Sequence, residues 1–401
     1  MTQTKLLEIR RWLFYWCFAS FSLGIATQQT SFFLFFLFQV GLAARYNIHM
    51  AGILDKGRRM GALLLGWIVV AALIAQARQP DMKQTDFHWA LVSFWILAPA
   101  MVREIQWERL HRVLLVLSVP GILHSVYWLL QPAEIAHALD IGFSMYPRAE
   151  GLVSNAITNA EGLAILACWS LARLSSKLSP RERRLILIHL LFSILIVVFS
   201  RVRSGILGFS VLMFLTALFS ERSRRLSLIG LGVTIVLSIG AIAFFGFNMA
   251  SIEERMILIR NSLKLWVQHP WVGIGPDRFT DYPLGGETIT GHPHNTWLGI
   301  GVETGIVGIV IYTLFIILLG HRLWCLFRDR KQNPDVPDWA IRAMCSCFVM
   351  YLIFGIFDFN FADSELLLFH GLHWGLATQL WRNRFEEENR EEKPKGRKQA
   401  A

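Results

Sequence analysis

Gly291-His292-Pro293-His294-Asn295-Thr296-Trp297 closes the longest polar stretch of the chain, and an apolar run through Gly301, Glu303, Thr304, Gly305 and Gly308 starts directly behind it. Two imidazoles therefore stand where a polar loop meets a hydrophobic helix. Imidazole is the side chain that accepts a proton near neutral pH without special tuning. Nowhere else does the sequence put an acid–base group so close to a membrane boundary behind so much polar chain. The rest reads as scaffold and substrate binding for this point.

Working outward, the apolar run is one of many. The 401 residues are 54% hydrophobic and 17% charged, against about 25% charged in soluble domains. Apolar runs long enough to cross a bilayer recur along the chain. This excludes a soluble helical protein and predicts an all-α polytopic membrane protein. Its spans, about twelve in number, lie near 12–26, 30–44, 59–76, 88–102, 113–130, 157–174, 185–200, 204–220, 226–246, 294–319, 340–357 and 362–381. A tight Thr27–Thr30 turn separates the first two, which could instead form a re-entrant hairpin. The first apolar stretch shows no small-residue cleavage site, so no cleavable signal peptide is expected. Cys17, Cys168, Cys325, Cys345 and Cys347 sit in or near apolar segments and read as apolar filler.

Charge gives the sidedness. On this span map one set of connectors holds only Arg78, Lys83, Arg148, Arg201, Arg203, Arg255, Arg260, Lys264 and Arg278, and the other Lys and Arg fall with the termini. Cytoplasmic loops carry the positive excess, so both termini are expected in the cytoplasm. The formal charge of +10 then reflects topology and attraction to anionic lipid, not nucleic acid. Residues 1–381 form one membrane domain with a long outer loop at 247–293, and 382–401 form a charged tail expected to be disordered.

Two places on the outer side concentrate positive charge. Arg201 and Arg203 stand at the outer end of the eighth span, whose N-terminal N–H groups favour an anion. An arginine adds a bidentate fork for phosphate; the other reading is an anchor to lipid headgroups. Arg255 and Arg260 ride on a surface helix near 251–267. Their spacing points them in different directions, so one of them at most, Arg255, is expected to face a shared site. His294 precedes the tenth span, where the helix dipole favours the neutral imidazole that accepts a proton. His292 and Asn295 flank it as candidate substrate contacts, and a plain helix cap is the competing reading. Gly301, Gly305 and Gly308 fit small-residue helix packing. Glu303 lies inside the span, and Asp358, Asp363 and Glu365 line the last outer turn; each could be structural or functional. No metal site is expected, because no His/Asp/Glu cluster shows ligand spacing and His292 and His294 alone make a weak one.

These residues carry a resemblance. His294-Asn295 followed by Gly305-x-x-Gly308 resembles the signature of bacterial O-antigen ligases of the WaaL type, within the O-antigen ligase and polymerase superfamily. Arg203-Ser204-Gly205 is similar to a second family segment. Arg255 ahead of Pro270-x-x-Gly273-x-Gly275-Pro276 resembles a third. Arg148-x-x-Gly151 and Asn155 look like an earlier one. The pattern departs where two threonines often follow the second glycine, since Ile309 and Val310 stand here. The resemblance implies a GT-C-type glycosyltransferase of the bacterial inner membrane that works at the periplasmic face without metal or other cofactor. Its donor would be a glycan on undecaprenyl pyrophosphate and its acceptor a sugar hydroxyl of lipid A–core oligosaccharide, in lipopolysaccharide assembly. His294 would be the base, Arg203 and Arg255 would bind the pyrophosphate, and Arg148, Arg201, Arg260, Asn295 and His292 would contact substrate.

Other activities compete. An O-antigen polymerase would be expected to carry two large outer loops, and a protein O-oligosaccharyltransferase an extra outer C-terminal region. A flippase would need paired charges at mid-membrane and broken helices in two related halves.

Overall fold

The computed structural model describes residues 3–23, 25–46, 56–79, 105–130, 152, 155–200, 202–219, 224–245, 250–282, 292–333, 336–361 and 364–387. All regular structure among them is helical: α1 Gln3–Ala19, α2 Ile25–Tyr46, α3 Lys56–Arg78, α4 Trp107–Leu129, α5 Ala156–Leu174, α6 Pro180–Phe199, α7 Arg203–Phe219, α8 Arg224–Phe245, α9 Ala250–Gln268, α10 Thr296–Arg328, α11 Asp338–Phe357 and α12 Ser364–Arg382, with short helical turns between. Helices stand at every expected span except 88–102, which lies outside the described residues, and α9 is the expected loop helix. Four are long and apolar enough by composition to cross a membrane: Arg59–Arg78, Trp107–Leu129, Thr296–Arg328 and Asp338–Phe357. The protein is an all-α membrane protein.

Two local expectations change. Thr27–Thr30 is not a turn but part of α2, and the chain reverses through a 3-10 turn at Ser20–Leu23. The polar side chains there are satisfied inside the helix pair, with Ser31 Oγ bonded to the Gln28 carbonyl at 2.8 Å and to Ser20 Oγ at 2.8 Å. The expected tail begins as a π turn at Asn383–Glu387.

The core is built around α5, which is buried over nearly its whole length. It packs on α6, α7 and α11, while α10 packs on α3, α9, α11 and α12. Burial of α5 depends on small residues, among them Ala160, Ala164 and Ala167, which bring neighbouring backbones close. Trp169 and Trp374 are fully buried, and the Trp169 indole N–H donates to His373 Nε2 at 3.0 Å. All five cysteines are free, and Cys17, Cys168 and Cys347 are buried as expected of filler.

One element is not a simple rod. At Gly305 the backbone of α10 leaves helical geometry (φ 68°, ψ −170°). Such a break strands carbonyls and an N–H in apolar surroundings, which is costly unless they find partners. The loop after α9 supplies them. Ile274 and Gly275 N–H donate to the Val302 and Glu303 carbonyls at 2.9 Å each, and Ile306 N–H donates to the Pro270 carbonyl at 2.8 Å. Trp67 of α3 donates its indole N–H to the Thr304 carbonyl at 2.9 Å. The approach is backbone to backbone. A Cβ on Gly273 would lie 2.4 Å from the Glu303 carbonyl, and one on Gly305 would lie 2.3 Å from that of Trp271. Both glycines have positive φ as well.

Candidate active site

The site forms where the first turn of α10, the last turn of α11 and the side of α9 meet. Asn295 caps α10: its Oδ1 accepts from Leu298 N–H at 2.9 Å, and its Nδ2 donates to the Ile356 carbonyl of α11 at 3.0 Å. Thr296 ties the same two elements, its hydroxyl lying 2.6 Å from Asn360 Oδ1 and 3.1 Å from the Asp358 carbonyl. Gly299 lets the Phe359 ring lie on the helix, since a Cβ there would sit 2.7 Å from the ring carbons. These contacts set the distance between residue 294 and residue 358.

Pro293 is buried, and His294 behind it takes left-handed backbone geometry with φ 48°. For a residue with a Cβ that costs about 1–3 kcal/mol, a strain found most often at functional sites. The conformation brings His294 Nδ1 to 3.0 Å from Asp358 Oδ1. Asp358 also accepts Phe359 N–H at 2.9 Å, and His292 Nε2 lies 3.6 Å away. Burial pushes the Asp358 carboxyl up, but the His294 hydrogen bond, the two nearby imidazoles and the Phe359 N–H outweigh it and hold the group below the usual carboxylate range. An ionised Asp358 takes a proton-bearing Nδ1 from His294. That leaves Nε2 as the acceptor, and the His294 side chain keeps 22% of its surface exposed.

Arg255 joins this cluster. Its Nη1 donates to the Phe357 carbonyl at 3.1 Å, one residue from Asp358. The helix that carries it is fastened to α10 by a small second core of Leu258, Leu265, Ile274, Phe279 and Val302. Arg260 points elsewhere, onto an exposed groove with Met256, Leu263 and Lys264, as the spacing on the helix predicted.

Arg203 is exposed on the first turn of α7. Gly208 of α7 packs on Met350 and Phe354 of α11. At about 1.5 Å per residue, Arg203 and Asp358 lie at similar heights at the same end of the bundle. Arg148 and Arg201 lie outside the described residues. Asn155 caps α5, its Oδ1 accepting Ile157 N–H at 2.8 Å.

The structure gives three further groups a setting. Asn295, expected to bind substrate, has both ends of its amide committed to the protein. Glu303 is buried and accepts Asp277 N–H at 3.1 Å, so it holds the loop against the broken helix. Three side chains that sequence spacing did not join come together: His292, His294 and Asp358 bring one ligand atom each within 4.8 Å of one another. Sequence spacing hid this because the carboxylate comes from 64 residues further along. Reading the sequence also gave no role to Arg278. It is fully buried and its guanidinium closes the end of α3, donating to the Ala75 carbonyl at 3.0 Å and to the Gln76 side chain.

Residues 188–313 match the family model described as O-Antigen ligase. The matched span runs from α6 through the first half of α10, and so includes Arg203, Arg255 and His294 but ends before Asp358. None of the curated proteins compared matches the chain.

Proposed function

We propose that the protein, in which residues 188–313 match the O-antigen ligase family model, transfers a glycan from a lipid pyrophosphate to a sugar hydroxyl. The specific reading is an O-antigen ligase: the donor is an undecaprenyl-pyrophosphate glycan and the acceptor is lipid A–core oligosaccharide. The reaction takes place at the periplasmic face of the inner membrane. The observation that carries it is the 3.0 Å contact between His294 Nδ1 and Asp358 Oδ1, which fixes one imidazole nitrogen and leaves the other to take a proton.

The step balances simply. His294 Nε2 removes the acceptor hydroxyl's proton as the oxygen attacks the donor's anomeric carbon. The bond from that carbon to the pyrophosphate oxygen breaks, and lipid pyrophosphate leaves with the electron pair. A positioned base of this kind contributes about 10²–10⁴-fold. Asp358 stabilises the imidazolium that forms, as a buried carboxylate behind a histidine does in other transferases and hydrolases. Arg255 gives one of its five N–H donors to Phe357, and in this scheme the others bind the leaving group. Arg203, at a helix N-terminus, adds a second positive group for the same charge. No step in this scheme calls on a metal.

A single displacement inverts configuration. The test is transfer by the purified protein from a donor of defined anomeric configuration, with the product linkage read by NMR. Inversion is expected; retention overturns the single-displacement scheme. A polymerase is the second reading, favoured by Ile309 and Val310 where the ligase pattern often has threonines. It would elongate the lipid-linked glycan in the same assay.

A further inference from the structure

We propose that His292, His294 and Asp358 form a binding site for a tetrahedral transition-metal ion of the zinc class, and that the bound ion inhibits transfer. Two imidazoles and one carboxylate are a zinc donor set, with room for water as the fourth ligand. Magnesium and calcium prefer all-oxygen surroundings and fit it poorly.

Distances support the assignment. Zinc holds nitrogen and oxygen ligands at about 2.0–2.2 Å, so neighbouring ligand atoms of a tetrahedron stand roughly 3.3–3.6 Å apart. Asp358 Oδ1 lies 3.0 Å from His294 Nδ1 and 3.6 Å from His292 Nε2. The rings of the two histidines are 4.4 Å apart, centre to centre. His292 is the adjustable member: its side chain is 40% exposed, and a small rotation brings it onto the third corner. Its Nδ1 now accepts a long bond from His294 N–H at 3.4 Å, and that weak contact is what metal binding gives up. The Asp358 carboxylate supplies negative charge, and the neighbouring Arg255 opposes a cation and limits affinity.

Inhibition follows from tautomers. A metal ion on His294 Nδ1 displaces the proton there to Nε2, the atom that must accept the acceptor's proton. The imidazole then has no free lone pair. The inhibitory half of the inference rests on His294 being the base, and the binding half does not.

The experiment uses the full chain in detergent after EDTA treatment and removal of the chelator. Zinc chloride is titrated by calorimetry, and cobalt(II) is followed by its visible absorption. A single saturable site with the strong bands of tetrahedral cobalt is expected. His292→Ala and, as a second variant of nearly unchanged shape, Asp358→Asn should each weaken binding by at least the roughly 10–100-fold that loss of an outer partner of a metal ligand costs. No saturable binding, or binding equal to wild type in both variants, overturns the site. In the transfer assay zinc should inhibit and EDTA should restore. Zinc binding at these residues with undiminished transfer would overturn the inhibitory role and the assignment of His294 as base together. Transfer that proceeds with no zinc bound at any concentration would overturn the metal site alone.

Discussion

Two atoms, His294 Nδ1 and Asp358 Oδ1, decide the proposed chemistry. Asp358→Asn keeps the shape and removes the charge that fixes the tautomer. Transfer should fall by about 10²–10⁴-fold, with membrane insertion and thermal stability near wild type; activity within a few-fold of wild type would remove Asp358 from the chemistry. The first partner was legible in the sequence and the second was not. His294 announced itself by standing between a polar loop and an apolar helix. Asp358 stood out only as one of three acids on the last outer turn, with nothing to pair it with His294, since it ends a different helix and meets His294 only through Thr296, Asn295 and Phe359. Arg255 was separable from Arg260 because helical geometry sends residues at that spacing to different faces. The capping role of Asn295 was not legible, because an amide beside a candidate base and an amide that caps a helix look the same in sequence.

At the element scale the determining feature is the break in α10 at Gly305 and the turn at 270–276 that repairs it. Glycines 301, 305 and 308 fit helix packing when read alone. Gly301 does meet Trp266 as such a glycine would, with a Cβ placed 3.2 Å from the ring. Gly305 instead sits at positive φ. The Pro270-x-x-Gly273-x-Gly275 turn and Gly305 were both visible as motifs, but that each exists for the other could not be read from spacing. Glu303 belongs to the same device, because its Oε1 receives Asp277 N–H. Glu303→Gln keeps an acceptor oxygen at that place and should leave stability and transfer near wild type. Glu303→Ala removes the acceptor of the Asp277 N–H and should loosen the loop. Hydrogen exchange over 270–277 reads this directly. Equal protection in both variants would contradict the docking role, and loss of transfer in Glu303→Gln with full protection would make Glu303 a chemical group instead.

At the scale of the whole molecule, charge and aromatic residues divide the bundle. The end opposite His294 carries the Arg112–Glu182 pair at 3.0 Å and the Arg330–Asp338 pair at 2.9 Å, with Arg342 also bound to Asp338. Arg173 lies over Trp339 there, its guanidinium carbon 5.0 Å from the ring centre. The described helices, the loop helix among them, followed from apolar runs, a property that composition carries without tertiary contacts; the sidedness expected from the sorting of Lys and Arg is a matter for labelling. We predict that Lys264→Cys, in a background without native cysteines, reacts with an impermeant maleimide from the outer side of intact inner membrane, and that Lys331→Cys reacts only after permeabilisation. The reverse pattern would invert the topology and put the candidate site in the cytoplasm.

The proposed reaction needs His294 as a base in glycan transfer from a lipid pyrophosphate. Its most direct test is transfer of a lipid-linked glycan to lipid A–core by the purified full-length protein in EDTA, wild type against His294→Ala. Product from wild type and none from the variant is expected, with both proteins folded alike. Equal transfer by the two would contradict it and reduce His294 to part of a helix cap.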